Sequence, residues 1–168
     1  MRQTLDITAL QAPFYAAMRG HGAFLNVGGE SPNTMTIGWG SLGFLWGKPI
    51  ATVMVRHSRH TYKLLEQAGA FTISIPAPGA LVQALAYCGS HSGREGDKFA
   101  AAGLSTAPAR SVDAPVVAGC AWQVECRVVY EQSMEPALLD TQLGDTWYRE
   151  PDYHTFYYGE ITAIYQTK

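Results

Sequence analysis

Arg56, Ser58, Arg59 and Thr61 fall within one six-residue run, Arg56-His57-Ser58-Arg59-His60-Thr61, between the apolar stretch 50–55 and a helical pattern starting near Ser58 or Thr61. A strand that runs straight into a helix brings orphan backbone N–H groups, hydroxyls and two guanidinium groups into one small volume. Helix N-termini attract anions, and the arginine fork matches phosphate oxygens, so the chemistry on offer is the holding of a phosphate. The same residues also suit a plainer role, in which Ser58 or Thr61 caps the helix and both arginines face water.

Two further stretches flank this run. Asn33-Thr34-Met35-Thr36-Ile37-Gly38-Trp39-Gly40 alternates, with Met35, Ile37 and Trp39 on one strand face and Thr34, Thr36 and Gly38 on the other. A small, hydroxyl-bearing face leaves backbone open to a flat ligand; Gly38, Gly40 and Gly43 equally suit a glycine-rich edge with a turn over 41–48. The third stretch, 88–99, gathers Gly89, Ser90, Ser92, Gly93 and Gly96 around His91, Arg94, Asp97 and Lys98. It reads as a loop folded around a ligand, with Lys98 as a point charge, or as a solvated surface loop. In series, the three stretches point to a planar ligand that carries a phosphate.

The elements that must position these residues are mostly strands. Residues 23–27, 34–39, 50–55 and 71–75 are β-branched or aromatic runs bounded by Gly and Pro, and 121–131 and 155–165 are long enough to cross a barrel. Helical spacing covers 61–68, ended by Gly69, and 79–87, with Pro78 near its start; a short helical turn fits 97–102. Residues 108–115 read as a surface connection, and 135–152, interrupted by Pro136, Gly144 and Pro151, as an irregular excursion. The expectation is a mainly β fold, a β-barrel with peripheral helices, in a single domain over 1–168.

The chain of 168 residues is 47% hydrophobic and 15% charged, which favours a compact, partner-covered protein. A net charge of -2 and a pI near 6.2 give no field for a polyanion, so neither nucleic acid nor a membrane surface is expected as a partner. Cys88, Cys120 and Cys126 are an odd set with no CxxC pair, which suggests a reducing cytoplasm. Met1 to Gln11 lacks the apolar core of a signal peptide, and no apolar run approaches the roughly 20 residues that span a bilayer. His57, His60, His91 and Cys88 show no ligand spacing in basic surroundings, so no metal is expected. Cys88 sits near a helix C-terminus, where the dipole opposes a thiolate. No G-x-S-x-G elbow supports a hydrolase, and the four tryptophans read as core or interface residues.

Four motifs follow one another: Asn-x-Met-Thr-Ile-x-Trp at 33–39, Arg-x-Ser-Arg-x-Thr at 56–61, Phe-Thr-Ile-Ser-Ile-Pro at 71–76, and Cys-Gly-x-x-Ser-Gly-x-x-x-Asp-Lys-Phe at 88–99. Over 22–103, with a weaker echo at 154–165, the chain resembles the flavin reductase-like proteins of the FMN-binding split-barrel group, especially the flavoredoxin-like branch. The resemblance implies a homodimeric FMN-binding split barrel. It implies that backbone around Met35, Thr36, Ile37 and Gly38 lines the isoalloxazine edge, and that Arg56, Ser58, Arg59 and Thr61 gather the phosphate and ribityl chain. Cys88, Gly89, Ser90, Ser92, Gly93 and Lys98 match the later motif and would close over the flavin, while His154 resembles a histidine near its reactive face. Related reductases often place Asp and His side by side; here Tyr153 intervenes, so Asp152 is assigned no role.

The implied activity is that of an oxidoreductase moving reducing equivalents from NAD(P)H through FMN to a flavin or protein acceptor. Without a G-x-G-x-x-G fingerprint, a nicotinamide would share the flavin pocket. Two alternatives stand beside it: a flavoredoxin-like electron carrier without efficient NAD(P)H oxidation, served by a redox protein partner, and a non-catalytic flavin- or haem-binding barrel.

Overall fold

The computed structural model describes residues 6–167; Met1 to Leu5, part of the stretch read for a leader, and Lys168 lie outside them. The chain runs α1 (Ile7–Arg19), β1 (Ala23–Val27), β2 (Asn33–Ile37), β3 (Gly40–Leu45), β4 (Lys48–Arg56), α2 (His60–Ala68), β5 (Ala70–Ile75) and α3 (Val82–Ser90). It continues with α4 (Lys98–Ala101), β6 (Thr106–Pro108), β7 (Pro115–Val117), β8 (Trp122–Ser133), α5 (Thr141–Trp147) and β9 (His154–Gln166).

Seven strands form one antiparallel sheet in the order β2-β1-β5-β8-β9-β4-β3. Its inward residues, among them Leu25, Met35, Val53, Ile73, Val124 and Tyr157, form one buried cluster. The outermost strands, β2 and β3, are consecutive and joined only through Gly38 and Trp39, so the rolled sheet brings its two edges together there without pairing them. The result is the expected mainly β fold, a split barrel with peripheral helices.

The differences from the sequence reading have local causes. Helix α1 lies in a stretch to which no element was assigned; it carries Pro13, yet Asp6 caps it, and Leu10 and Phe14, four residues apart, are buried in the barrel core. The predicted turn over 41–48 is a strand followed by a two-residue turn, Trp46-Gly47, with φ of 52° and 70° and Leu45 paired to Lys48. Both values are left-handed, as a tight hairpin turn requires. The helix expected at 79–87 starts three residues later, because Leu81 adopts φ 55° and cannot join it. Residues 106–117 contain the small β6–β7 hairpin, and the excursion before β9 contains α5.

Two side-chain details fix the long strands. A Cβ on Gly159 would lie 2.6 Å from Phe71 Cζ and 2.7 Å from Cys126 Cβ, so β9 can cross the core at that point only without a side chain. Buried Glu125 on β8 accepts from Arg110 N, Ser111 N, Ser111 Oγ and Tyr165 Oη, pinning the connection before β7 to the sheet. Burial works against its charge, yet these donors hold its carboxyl below the ordinary value. All three cysteines are buried and unpaired. No helix among the described residues is long and apolar enough to cross a membrane.

Candidate functional site

A polar hollow of about 110 Å³ opens where the start of β2, the N-terminus of α2 and the loop between α3 and α4 meet. Asn33, Ser58 to Thr61, Ser90 to Arg94 and Lys98 line it, with no carboxylate among them. Arg59, not Ser58 or Thr61, occupies the position before α2, and no side chain caps the helix. Its leading N–H groups therefore remain for an anion. Thr61 Oγ1 instead accepts from Asn33 Nδ2 at 2.9 Å, tying α2 to β2.

The cations are held by the C-terminal end of α3. Arg59 donates to Gly89 O at 2.7 Å and Cys88 O at 3.3 Å, and Lys98 Nζ donates to Cys88 O at 2.8 Å and His91 O at 2.9 Å. Two of the three ammonium donors of Lys98 are thereby used, leaving one. Burial, then the neighbouring Arg59, lowers the Lys98 pKa to about 8, with Cys88 opposing. Burial also lowers Arg59, against the pull of Asp152; His60 is lowered by burial and by Arg94, Lys98 and Lys63. A group of cations that depress one another is stabilised by an incoming anion.

Gly93 makes the hollow possible. A Cβ there would fall 2.2 Å from Asn33 Oδ1 and 2.9 Å from His60 Cδ2, so only glycine lets the loop lie against β2 and α2. Next to it, Arg94 Nη1 donates to Ser58 O at 3.2 Å and brackets the outer side.

From this corner β2 runs as an edge strand bonded only to β1, so its outward backbone groups are unpaired in the sheet. Met35 and Ile37 point into the core; Thr36 Oγ1 donates to Leu85 O of α3 at 2.6 Å; Gly38 is exposed. Trp39 does not continue the face of Met35 and Ile37. It packs edge-on against Trp147 at 5.0 Å and lies 5.4 Å from His154.

His154 opens β9 and is buried. Its Nδ1 is 2.6 Å from Tyr148 Oη. Burial, then Arg56, lowers its pKa to about 4, with Asp152 opposing and His57 adding, so the ring is neutral at pH 7.

Arg56 is the predicted residue that stays out of the corner. It is the register partner of His154; it donates to Asp152 O at 2.6 Å and Trp147 O at 3.1 Å and lies 4.9 Å over the Tyr148 ring. Ser58, which lines the corner, gives its N–H and hydroxyl to the Asp152 carboxylate at 3.1 and 2.5 Å. Cys88 buries its thiol among Phe24, Leu85 and Phe99 and serves the corner through its carbonyl. Burial raises that thiol's pKa against the pull of Lys98, so it is no ready thiolate. Ser90, Ser92, Gly93 and Lys98, which the resemblance would close over the flavin, line the corner, and Gly89 stands beside them as an acceptor for Arg59.

Sequence reasoning missed His60, the clamp made by Asp152, and Tyr148. His60 lies inside a motif it was not credited with; Tyr148 carries no signal until α5 folds it back onto β9. Among the described residues no group of three His, Cys, Asp or Glu is placed to hold a metal.

The fold and site define an antiparallel split barrel that presents a cation-lined corner beside an unpaired strand edge. Residues 22–168 match the flavin reductase like domain model, and the chain belongs to that family. It is similar to the solved flavoredoxin of Desulfovibrio vulgaris (Miyazaki F), 28% identical with a TM-score of 0.69 over 87% of this chain and 69% of that one. The flavoredoxin from Methanosarcina acetivorans is 26% identical, with a TM-score of 0.67 over 87% and 68%. An uncharacterised protein of Archaeoglobus fulgidus is 28% identical over 137 residues, 82% of this chain and 67% of its own length.

Proposed function

We propose that this chain, acting as one flavin reductase-like domain over 1–168, binds FMN and moves reducing equivalents through it from NAD(P)H to a flavin or protein acceptor. The observation that carries the reading is the cation-lined corner at the start of the unpaired β2 edge, which the Asp152 carboxylate touches only through Ser58. Its volume suits one phosphate group. The free edge from Met35 to Gly38 offers alternating donors and acceptors to a ring whose pyrimidine side carries the same kinds of group. Bound there, FMN would supply the hydride and electron chemistry.

The chain's residues then divide the work. Arg59, Lys98 and the first turn of α2 hold the phosphate; Ser90, Ser92 and Gly93 shape the loop against it. The β2 backbone orients the ring. Trp39 and Trp147 shield the end of the edge from water, and His154 faces that end as the catalytic residue. Arg56 and Asp152 hold the segment leading into β9 against the turn before α2.

A homodimer is supported by exposed apolar residues on the β3–β4 hairpin and beside it: Phe44 is 72% and Trp46 61% exposed, and Trp46 packs against Tyr130 and Tyr158. Buried, unpaired cysteines suit a reducing cytoplasm. Trp46→Glu is expected to convert a sedimenting dimer to a monomer; a monomeric wild type removes this part of the reading.

Likeness to two flavoredoxins favours a second reading, an electron carrier fed by a redox protein. Anaerobic addition of NADH or NADPH to protein with a flavin spectrum separates the two: fast bleaching marks a reductase, slow bleaching a carrier. The corner itself is tested by titrating FMN and riboflavin against wild type and Arg59→Ala. Loss of a charge-assisted contact worth about 1.5–3 kcal/mol weakens FMN roughly 10- to 160-fold and leaves riboflavin nearly unchanged. Equal FMN affinity in a folded variant sinks the assignment.

A further inference from the structure

The hydrogen bond between His154 and Tyr148 has a direction that the surrounding atoms decide. Tyr148 is 7% exposed, and its hydroxyl has no partner among the described residues except His154 Nδ1. If Nδ1 carried a proton and donated it, the phenol proton would be left buried without an acceptor, a costly arrangement. The phenol therefore donates, Nδ1 accepts, and a neutral ring must carry its proton on Nε2.

Nε2 is the informative atom. The buried side-chain atoms without a partner among the described residues are Asn26 Oδ1, Thr34 Oγ1 and Tyr157 Oη. His154 Nε2 also makes no hydrogen bond, yet it is not sealed in with them. A residue that is 94% covered thus keeps that ring nitrogen unsealed, and the ring lies 5.4 Å from Trp39, which follows the end of the β2 edge.

Tyr148 is itself held rigidly. Its ring stacks on Tyr153 at 5.1 Å and lies under the Arg56 guanidinium, which is anchored on the carbonyls of Trp147 and Asp152. The charged and titratable groups facing the histidine from these elements are Arg56 and His57 at the end of β4 and Asp152 before β9. Arg56 disfavours a second ring proton, with His57 adding and Asp152 opposing, and Tyr148 fixes where the single one resides.

We propose that Tyr148 is the positioning residue for His154, holding it as the Nε2–H tautomer so that it presents one oriented donor to an acceptor atom of the bound ligand. In terms of the function above, which this inference deepens and on which its catalytic half rests, the acceptor belongs to the flavin or the nicotinamide. The donor tautomer itself does not depend on which ligand comes.

The test begins without any ligand. Long-range proton–nitrogen correlation on protein labelled at histidine nitrogen, with His154→Gln identifying the resonance among the five histidines, reports the tautomer directly. Wild type is expected to show Nδ1 unprotonated and Nε2 protonated at pH 7, and Tyr148→Phe a mixture of tautomers. A wild-type His154 protonated on Nδ1, or a folded Tyr148→Phe with an unchanged single tautomer, overturns the proposal. The wild-type measurement stands even if the variant does not fold.

The second arm uses FMN-loaded protein and single-turnover reduction by NADH. Tyr148→Phe is expected to slow reduction about tenfold at saturating donor with KM little changed, and to add nothing when placed on His154→Gln. Additive losses in the double variant overturn a role through His154. A wild type that NADH does not reduce at all defeats the reductase reading, while the tautomer result still decides the claim about Tyr148.

Discussion

Lys98 carries a titration that should be visible in binding. Burial and Arg59 place its pKa near 8, where a phosphate dianion favours the protonated form. The sign follows: FMN affinity should be full below about pH 8 and fall as the pH rises past it, because binding must then also recruit a proton. Lys98→Met should bind FMN more weakly at pH 7 and show no such fall, as fluorescence titrations across pH 7–9.5 would reveal. At this scale the sequence was partly legible. Ser92, Gly93 and Lys98 were singled out because small residues and a cation share a short loop, and the hollow uses them so. Arg56 and Arg59 looked equivalent, three residues apart, yet the turn between β4 and α2 sends one to Tyr148 and the other to Cys88 and Gly89. Side-chain direction across a turn depends on backbone angles that residue types there do not specify.

Among the elements, α5 bears most on the site, because Tyr148 follows it directly. Asp140 caps it, accepting from Gln142 N at 3.0 Å and Leu143 N at 3.1 Å. Asp140→Ala should cost about 1 kcal/mol of stability by urea unfolding, with the ladder of β8 and β9 intact. A change within error would show that α5 is held by its contacts rather than by its cap. The helix was hidden in the sequence by Gly144 and flanking prolines, and α1, which carries Pro13, lies in a stretch to which no element was assigned. In both, packing outweighs local propensity: Leu10 and Phe14 anchor α1, and the aromatic cluster at Trp147 and Tyr148 anchors the end of α5. The long strands were legible because alternating runs with β-branched residues leave little choice of structure.

For the whole molecule, the neutral, buried His154 sets an acid limit. Its pKa in the fold is about 4 against an ordinary 6.5, so the unfolded chain takes up the proton first. The stability that depends on a neutral His154 is present above pH 6.5 and lost as the pH falls toward 4, amounting to about 2 kcal/mol between pH 7 and 5. Urea unfolding at the two values should show this loss in wild type and a smaller one in His154→Gln; equal losses would place the acid sensitivity elsewhere. The residue types and their order were enough to determine a mainly β chain, with cations, hydroxyls and glycines gathered in three short stretches, and the family to which it belongs, because periodicity and local chemistry are written along the chain. Only the tertiary structure decided which arginine enters the corner, that Asp152 grips Ser58, and that Tyr148 sets the proton on His154. Each of those joins residues 6 to 94 positions apart, and such meetings are settled by how the sheet rolls and where α5 folds back.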